Sequence, residues 1–235
     1  EDYLAIRPER EQRLKNLIQQ GRIIIGPWYV MPDEFLLSGE SLVRNLQKGF
    51  EISRSFGVEP MKCGYVVDIF GHNSQMPQIL RGFGIESAIL WRGAGNYPKD
   101  LFRWVSPDGS PVLCIKLDSD RSYGSFYFAI RWPFDGREYA KDEVVERMQA
   151  MLQYLSECAV SNNLLMMDGI DHIEIEPKLS EILTMLNENI EAVQIEHCTL
   201  QQYIEAQIRS GAELEDIQGE LYDIGKKGVN NAVFK

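Results

Sequence analysis

The sequence predicts an α/β fold with a mostly parallel sheet, interrupted by one β-hairpin excursion. Three observations carry that expectation. Short apolar runs alternate with stretches of helical period, the rhythm of parallel strands joined by crossover helices. Two of those runs, 65–67 and 164–167, end on an acid, Asp68 and Asp168. Residues 103–117 instead place two apolar runs on either side of Pro107-Asp108-Gly109-Ser110, the composition of a hairpin turn. An open doubly wound sheet and a barrel both satisfy the alternation. Two acid-tipped strands separated by several strand–helix units favour a barrel whose loops converge on one mouth.

Taken in order, residues 8–20 carry Leu14, Leu17 and Ile18 at helical spacing, and Gly21 supplies the stop. Ile23-Ile24-Ile25 reads as a buried strand. It runs into 26–34, a loop too rich in aromatics and acids for a mere connector; its Trp28 either lines a pocket or lids the core. A helix is predicted from Ser38, with Ser41 near its cap, Leu42, Val43, Leu46 and Phe50 inward and Gly57 beyond its end. Tyr65, Val66 and Val67 suit a strand buried on both faces, where alternation gives way to continuous apolar residues. Residues 73–81 form a short helix with Met76, Ile79 and Leu80 inward, and 87–91 a strand that ends on Arg92-Gly93.

The stretch 118–136 holds Tyr123, Phe126, Tyr127, Phe128, Trp132 and Phe134 and reads as a long, partly ordered surface loop near the site. Local packing explains each of these aromatics singly a little better than function does. A strong amphipathic helix follows over 141–161, its Met148 and Met151 belonging to a core stripe. Residues 163–168 repeat the pattern of an apolar strand ending on acid. Beyond it, 178–189 is helical, 192–196 a strand, and 200–209 a helix ended by Gly211.

At 235 residues and 44% hydrophobic content the chain can bury a sizeable core. A formal net charge of −11, with no block of lysine and arginine, argues against a nucleic-acid partner, which requires a basic footprint. An acidic surface is compatible with a neutral or cationic small substrate. The four cysteines are widely spread without a C-x-x-C pair, so they read as reduced, small hydrophobic residues and not as a disulfide framework or zinc ribbon. No stretch approaches the roughly 20 apolar residues that cross a bilayer, so no membrane span is expected. The chain opens on Glu1, and it reads as a piece of a longer protein.

An acid at the carboxyl end of a parallel strand reads as chemistry before packing, since reacting groups of α/β enzymes collect there. As a mere helix cap Asp68 would be redundant, because Asn73 and Ser74 stand nearer to the next helix. Asp68 and the Asp168/Asp171 pair, at the ends of two strands, are the minimal equipment for cleaving a glycosidic bond: one nucleophile or base, one protonated acid. Two acids at strand ends also suit Mg²⁺ or an arginine. His72 and His172 add a metal reading, imidazole and carboxylate being zinc ligands, although neither belongs to an H-x-x-x-H pair. For His72 a core or supporting role is favoured.

Several blocks in fixed order carry a more specific signal. They are 26–34 (Gly-Pro-Trp-Tyr-Val-Met-Pro-Asp-Glu), Ser38-Gly39-Glu40-Ser41 with Arg44-Asn45-Leu46, Gly64-Tyr65-x-x-Asp68-x-Phe70-Gly71-His72, 75–80 (Gln-Met-Pro-Gln-Ile-Leu), Arg92-Gly93, and Asp168-Gly169-x-Asp171-His172. Together, over about residues 1–177, they resemble glycoside hydrolase family 38, the class II α-mannosidases, and most of all its bacterial branch.

The resemblance implies a retaining hydrolase on an irregular, seven-stranded (β/α) barrel with one bound Zn²⁺, acting on mannose-containing oligosaccharides, and for a bacterial member a cytoplasmic location. Asp68 matches the family's nucleophile, which is also a zinc ligand, and Asp171 its general acid/base. Phe70 and Arg92 match positions lining the sugar subsite, with Trp28 and His172 as further substrate contacts. Asp168 and His172 are the expected neighbours of Asp171, the like charge favouring a proton on it.

The sequence also departs from the family. It contains no His-x-Asp, the block that in the family ends the first strand and supplies two zinc ligands. The expectation is therefore a catalytic domain over 1–212 that lacks its first strand, with 213–235 beginning a following segment. Such a piece should bind zinc poorly through Asp68 alone and be inactive in isolation. Two other readings stay open: a carbohydrate deacetylase or amylase-like enzyme on a related barrel, and a non-enzymatic carbohydrate-binding scaffold.

Overall fold

The computed structural model describes residues 2–94, 97–191 and 193–222. Five strands form one open sheet: β1 (Gly64–Val66), β2 (Ser87–Leu90), β3 (Leu101–Val105), β4 (Pro111–Lys116) and β5 (Asp216–Gln218), in spatial order β1-β2-β4-β3-β5. β1, β2 and β4 run parallel; β3 turns back antiparallel to β4, and β5 lies parallel to β3. The predicted hairpin is β3–β4. Its turn closes through Gly109 at φ +85°, with Asp108 accepting from both the backbone N–H and the hydroxyl of Ser110.

Seven α-helices occur among the described residues: α1 (Asp2–Ile6), α2 (Glu11–Gln19), α3 (Gly39–Ser55), α4 (Met76–Gly82), α5 (Lys141–Ser156), α6 (Leu179–Asn189) and α7 (Leu200–Ser210). Ser38 caps α3 by accepting from the Ser41 N–H. Thr199 and Gln202 close a capping box on α7, which ends at Gly211 in the left-handed conformation. The helix expected from residue 73 starts at Met76, because Asn73 spends its side chain on the Gln75 N–H in a turn of its own.

The central strands are buried on both faces, so their side chains feed two cores. On one face Val66, Ala88, Leu90, Phe102, Trp104, Val112 and Cys114 pack with Leu42, Leu46 and Phe50 of α3 and Met76 and Leu80 of α4. On the other, Cys63, Val67, Ile89, Leu101 and Ile115 meet Tyr203 and Ile204 of α7. That two-sided burial is why β2 carries the apolar run Ala88-Ile89-Leu90 without alternation. A third cluster joins Val144 and Met148 of α5, Ile182 and Leu186 of α6, and Phe126, Ile130 and Phe134. Those last three come from 118–136, which is not a loosely ordered loop: it winds through short helical turns at Ser122–Gly124, Tyr127–Arg131 and Trp132–Phe134, with Phe126, Ile130 and Phe134 turned inward and Trp132 left exposed.

Three expected strands do not join the sheet, and in each case other groups take the backbone hydrogen bonds. Residues 23–25 receive one bond from the sheet side, Met61 N–H to Ile25 O, and Ile23 and Ile24 stay exposed. In 163–168, Met167 accepts from the Phe126 N–H and donates to Ser125 Oγ, while Tyr203 and Gln207 of α7 cap the Asn163 carbonyl. In 192–196, of which residue 192 lies outside the described residues, both backbone groups of Ile195 are bonded by the Asn187 side chain. The described sheet is thus five-stranded and open. Cys63 and Cys114 are buried as expected, but Cys158 and Cys198 are exposed.

Loop 26–34 lies across α3. Asn45 accepts from the backbone N–H groups of Tyr29 (2.8 Å) and Val30 (3.2 Å) and donates to the Val30 carbonyl (2.8 Å). Gly49, one turn on, permits the approach: a Cβ there would sit 2.0 Å from the Pro27 oxygen.

Candidate active site

Parallel pairing sets two side chains next to each other. β1 and β2 run in register with Val66 opposite Leu90, so Asp68 and Arg92, each two residues further on, leave the carboxyl ends of neighbouring strands together. Arg92 Nε donates to Asp68 Oδ1 at 2.5 Å, a charge-assisted contact. The Tyr123 hydroxyl donates to the other carboxylate oxygen at 3.3 Å. Both side chains of the ion pair stay about a third exposed, 34% for Asp68 and 29% for Arg92, so the pair orients the carboxylate more than it stabilises the fold.

Aromatic groups fix this arrangement. The Arg92 guanidinium lies 4.0 Å over the Trp91 ring and 5.4 Å from that of Phe70. Trp91 in turn meets Tyr123 edge-on at 5.7 Å and donates its indole N–H to the Ser119 carbonyl. Burial pushes the Tyr123 phenol above its ordinary range, and the charges of Asp68 and then Asp171 push the same way. Two carboxylates from distant parts of the chain therefore act by their charge on one phenol.

Asp171 is exposed, in a turn held near Tyr123 by the Gly169 N–H, which donates to the Tyr123 carbonyl at 3.0 Å. His172, next to it, is exposed with a positive φ of 62°. Arg131, only 9% exposed, donates to Asp168 Oδ1 at 2.9 Å and to the Glu174 carbonyl at 2.7 Å, bracketing the acidic loop from behind. The like charge expected beside Asp171 is thus already paired with a guanidinium.

His72 is fully buried, in line with the supporting role favoured for it. Trp28 packs on the core cluster that includes α3, with its indole N–H buried and without a hydrogen-bond partner. Among the described residues no hydrogen bond or ring contact joins it to Asp68. Reasoning from residues alone passed over Tyr123, Trp91, Arg131 and Glu34. Tyr123 was visible only as one aromatic of six in 118–136, and nothing local singled it out. Glu34 lies in 26–34, a stretch whose sequence does not reveal that it is buried.

Among the described residues no group of three or more His, Cys, Asp or Glu side chains could hold a metal ion. A zinc site takes three or four protein donors, and Asp68 offers one carboxylate, so these residues by themselves do not fit a zinc ion. No helix among them is long and apolar enough to cross a membrane.

Comparison with known proteins places this geometry. Residues 1–218 match the family model described as the glycosyl hydrolases family 38 N-terminal domain. A provisionally named mannosylglycerate hydrolase of Halalkalibacterium halodurans is 32% identical over 240 residues, covering 94% of this chain and 25% of the relative. Alpha-mannosidase G of Dictyostelium discoideum is 36% identical over 116 residues, covering 45% of this chain and 10% of its own length. The crystal structure of an alpha-mannosidase from Enterococcus faecalis superposes with a TM-score of 0.82 at 28% identity, covering 94% of this chain and 24% of that one. The chain spans about a quarter of the bacterial proteins it matches. With the family model covering nearly its whole length, the chain belongs to glycosyl hydrolase family 38, in the N-terminal domain.

Proposed function

We propose that this chain carries the reacting carboxylates of an α-mannosidase that works with retention through a covalent glycosyl-enzyme. The observation that carries the reading is the Asp68 carboxylate at the end of β1, gripped by Arg92 and Tyr123, with the turn that bears Asp171 bonded to the Tyr123 backbone. Asp68 attacks the anomeric carbon as the glycosidic C–O bond breaks, and Asp171 gives its proton to the departing oxygen. Asp171, now a carboxylate, takes a proton from water, whose oxygen attacks the same carbon and frees Asp68. Arg92 and Tyr123 hold the nucleophile in place by hydrogen bonds to its two oxygens, while Phe70 and His172 border the sugar.

Zinc binding would need donors beyond Asp68, and no step here runs through a metal. The seven-stranded barrel belongs to the same proposal: β1 pairs on one side only among the described residues, which leaves an edge for further strands in the whole protein. The relatives' names supply the substrate class, an α-linked mannoside, with mannosylglycerate as one member.

The test uses the whole protein with an aryl α-mannoside and with mannosylglycerate, following the anomer released by NMR. Wild type should release α-mannose first, and Asp68→Ala should lower turnover by at least about 10³-fold, as loss of a nucleophile does. Normal turnover in that variant, or β-mannose as first product, would overturn the reading.

A further inference from the structure

Glu34 and His72 have fully buried side chains, 0% exposed each, and the reaction above uses neither. Their hydrogen bonds leave little freedom in where protons sit. His72 Nε2 lies 2.7 Å from the Arg92 carbonyl oxygen, and a carbonyl only accepts, so Nε2 carries a proton. Nδ1 lies 2.9 Å from Glu34 Oε1, a contact that needs one proton, on the ring nitrogen or on the carboxyl. Glu34 Oε2 accepts from the Asn73 N–H at 2.7 Å. The result is one chain of bonds from Asn73 through Glu34 and His72 to the backbone of Arg92, with a single proton shared by the acid–imidazole pair.

The chain ends where orientation matters. His72 itself is pinned by two backbone bonds with Leu221, donating at 2.7 Å and accepting at 3.0 Å. Its ring packs against the turn after β2: Gly93 has φ +83°, and a Cβ there would come within 2.9 Å of His72 Cδ2 and of Gly71 Cα. By contrast, the Arg92 N–H reaches the Val67 carbonyl only at 3.4 Å. The imidazole on the other side is thus the firmer hold on the peptide that aims the guanidinium.

We propose that Glu34 and His72 are positioning residues, a proton-sharing pair that fixes the Arg92 carbonyl and so aims the Arg92 guanidinium at Asp68. This rests on reading Asp68 as the nucleophile. It also assigns a task to the acid of loop 26–34: α3 holds that loop through Asn45, and Glu34 carries the constraint from there to the strand ends.

Two variants of nearly equal volume separate hydrogen bonding from bulk. Glutamine at 34 can donate to a neutral Nδ1 and still accept from Asn73, whereas methionine can do neither. In the whole protein, Glu34→Met should lower kcat on an aryl α-mannoside by about 10²-fold with KM within about threefold, the signature of a misaimed group and not of lost binding. Glu34→Gln should recover most of that loss. Hydrogen–deuterium exchange should rise in Glu34→Met at 91–94 and 68–73 while α5 and α6 stay protected, and Glu34→Gln should restore it. Normal kcat in Glu34→Met, equal losses in both variants, or exchange raised throughout the domain would overturn the proposal. A wild type inactive on every α-mannoside would instead overturn the functional reading, and the exchange pattern would still decide whether the pair holds the turn.

Discussion

Val66 pairs with Leu90 across the parallel β1–β2 ladder, and that single register brings Asp68 and Arg92, 24 residues apart in sequence, within 2.5 Å of each other. The guanidinium does more there than neutralise charge. It stacks on Trp91 and borders Phe70, which a compact ammonium cannot reproduce.

Arg92→Lys should therefore keep the fold and lose activity. With the charge retained and the stacked plane gone, kcat in the whole protein should fall roughly 10- to 100-fold, equivalent to about 1.4–2.8 kcal/mol. Circular dichroism checks the fold, and steady-state kinetics on an aryl α-mannoside the activity.

Tyr123→Phe removes one donor to Asp68 and leaves the ring on Trp91. A hydrogen bond to a partly exposed carboxylate should account for roughly tenfold in kcat/KM. The same variant has a spectroscopic check. Because burial and two carboxylates push the Tyr123 phenol up, it should ionise later than an ordinary tyrosine, and an alkaline ultraviolet titration of Tyr123→Phe should lack one late-ionising phenol.

Alkaline pH should destabilise the domain, and the direction follows from linkage. Burial pushes the Cys63 thiol from 9.0 up to about 12 and the Tyr65 phenol from 10.0 up to about 12. Between those values the unfolded chain has released protons that the folded chain still holds, so stability falls as pH rises. It should be fully present below about pH 9 and erode towards pH 12, read as the urea midpoint of the chain at pH 8, 9.5 and 10.5. Cys63→Ala should flatten that slope.

Gly49→Ala should destabilise the protein although alanine is the better helix former. The gain in helix propensity is about 1 kcal/mol, whereas the new Cβ would stand 2.0 Å from the Pro27 oxygen and 2.6 Å from Trp28 C. Loop 26–34 must lift off α3, at a net cost of about 2–3 kcal/mol measured by thermal or urea unfolding. If Glu34 transmits a constraint from this loop, kcat should fall with it.

Much of the fold was legible because its signals are local. The hairpin followed from Pro107-Asp108-Gly109-Ser110, α3 from Ser38 and its apolar stripe, the end of α7 from Gly211, and β1 from a run suited to burial on both faces. The misplaced strands share one cause. Ile23-Ile24-Ile25, 163–167 and 193–196 have strand composition, but a strand exists only through partners, and composition does not say that Ser125 and the side chains of α7 take up backbone groups in the second, or Asn187 in the third.

The sequence by itself determined the chemistry available: an acid at the tip of an apolar run, a second acid in a glycine turn, an arginine after the next strand, and ordered blocks specific enough to indicate the family. Tertiary structure alone decided which of these groups meet. Strand register brings Arg92 to Asp68, a helical turn from 118–136 sets Tyr123 against Asp68 and close enough to feel the charge of Asp171, and Arg131 draws Asp168 away into an ion pair. The deepest element, Glu34 with His72, could not have been found earlier, because residues 38 apart along the chain share a proton only once folding has removed water from both.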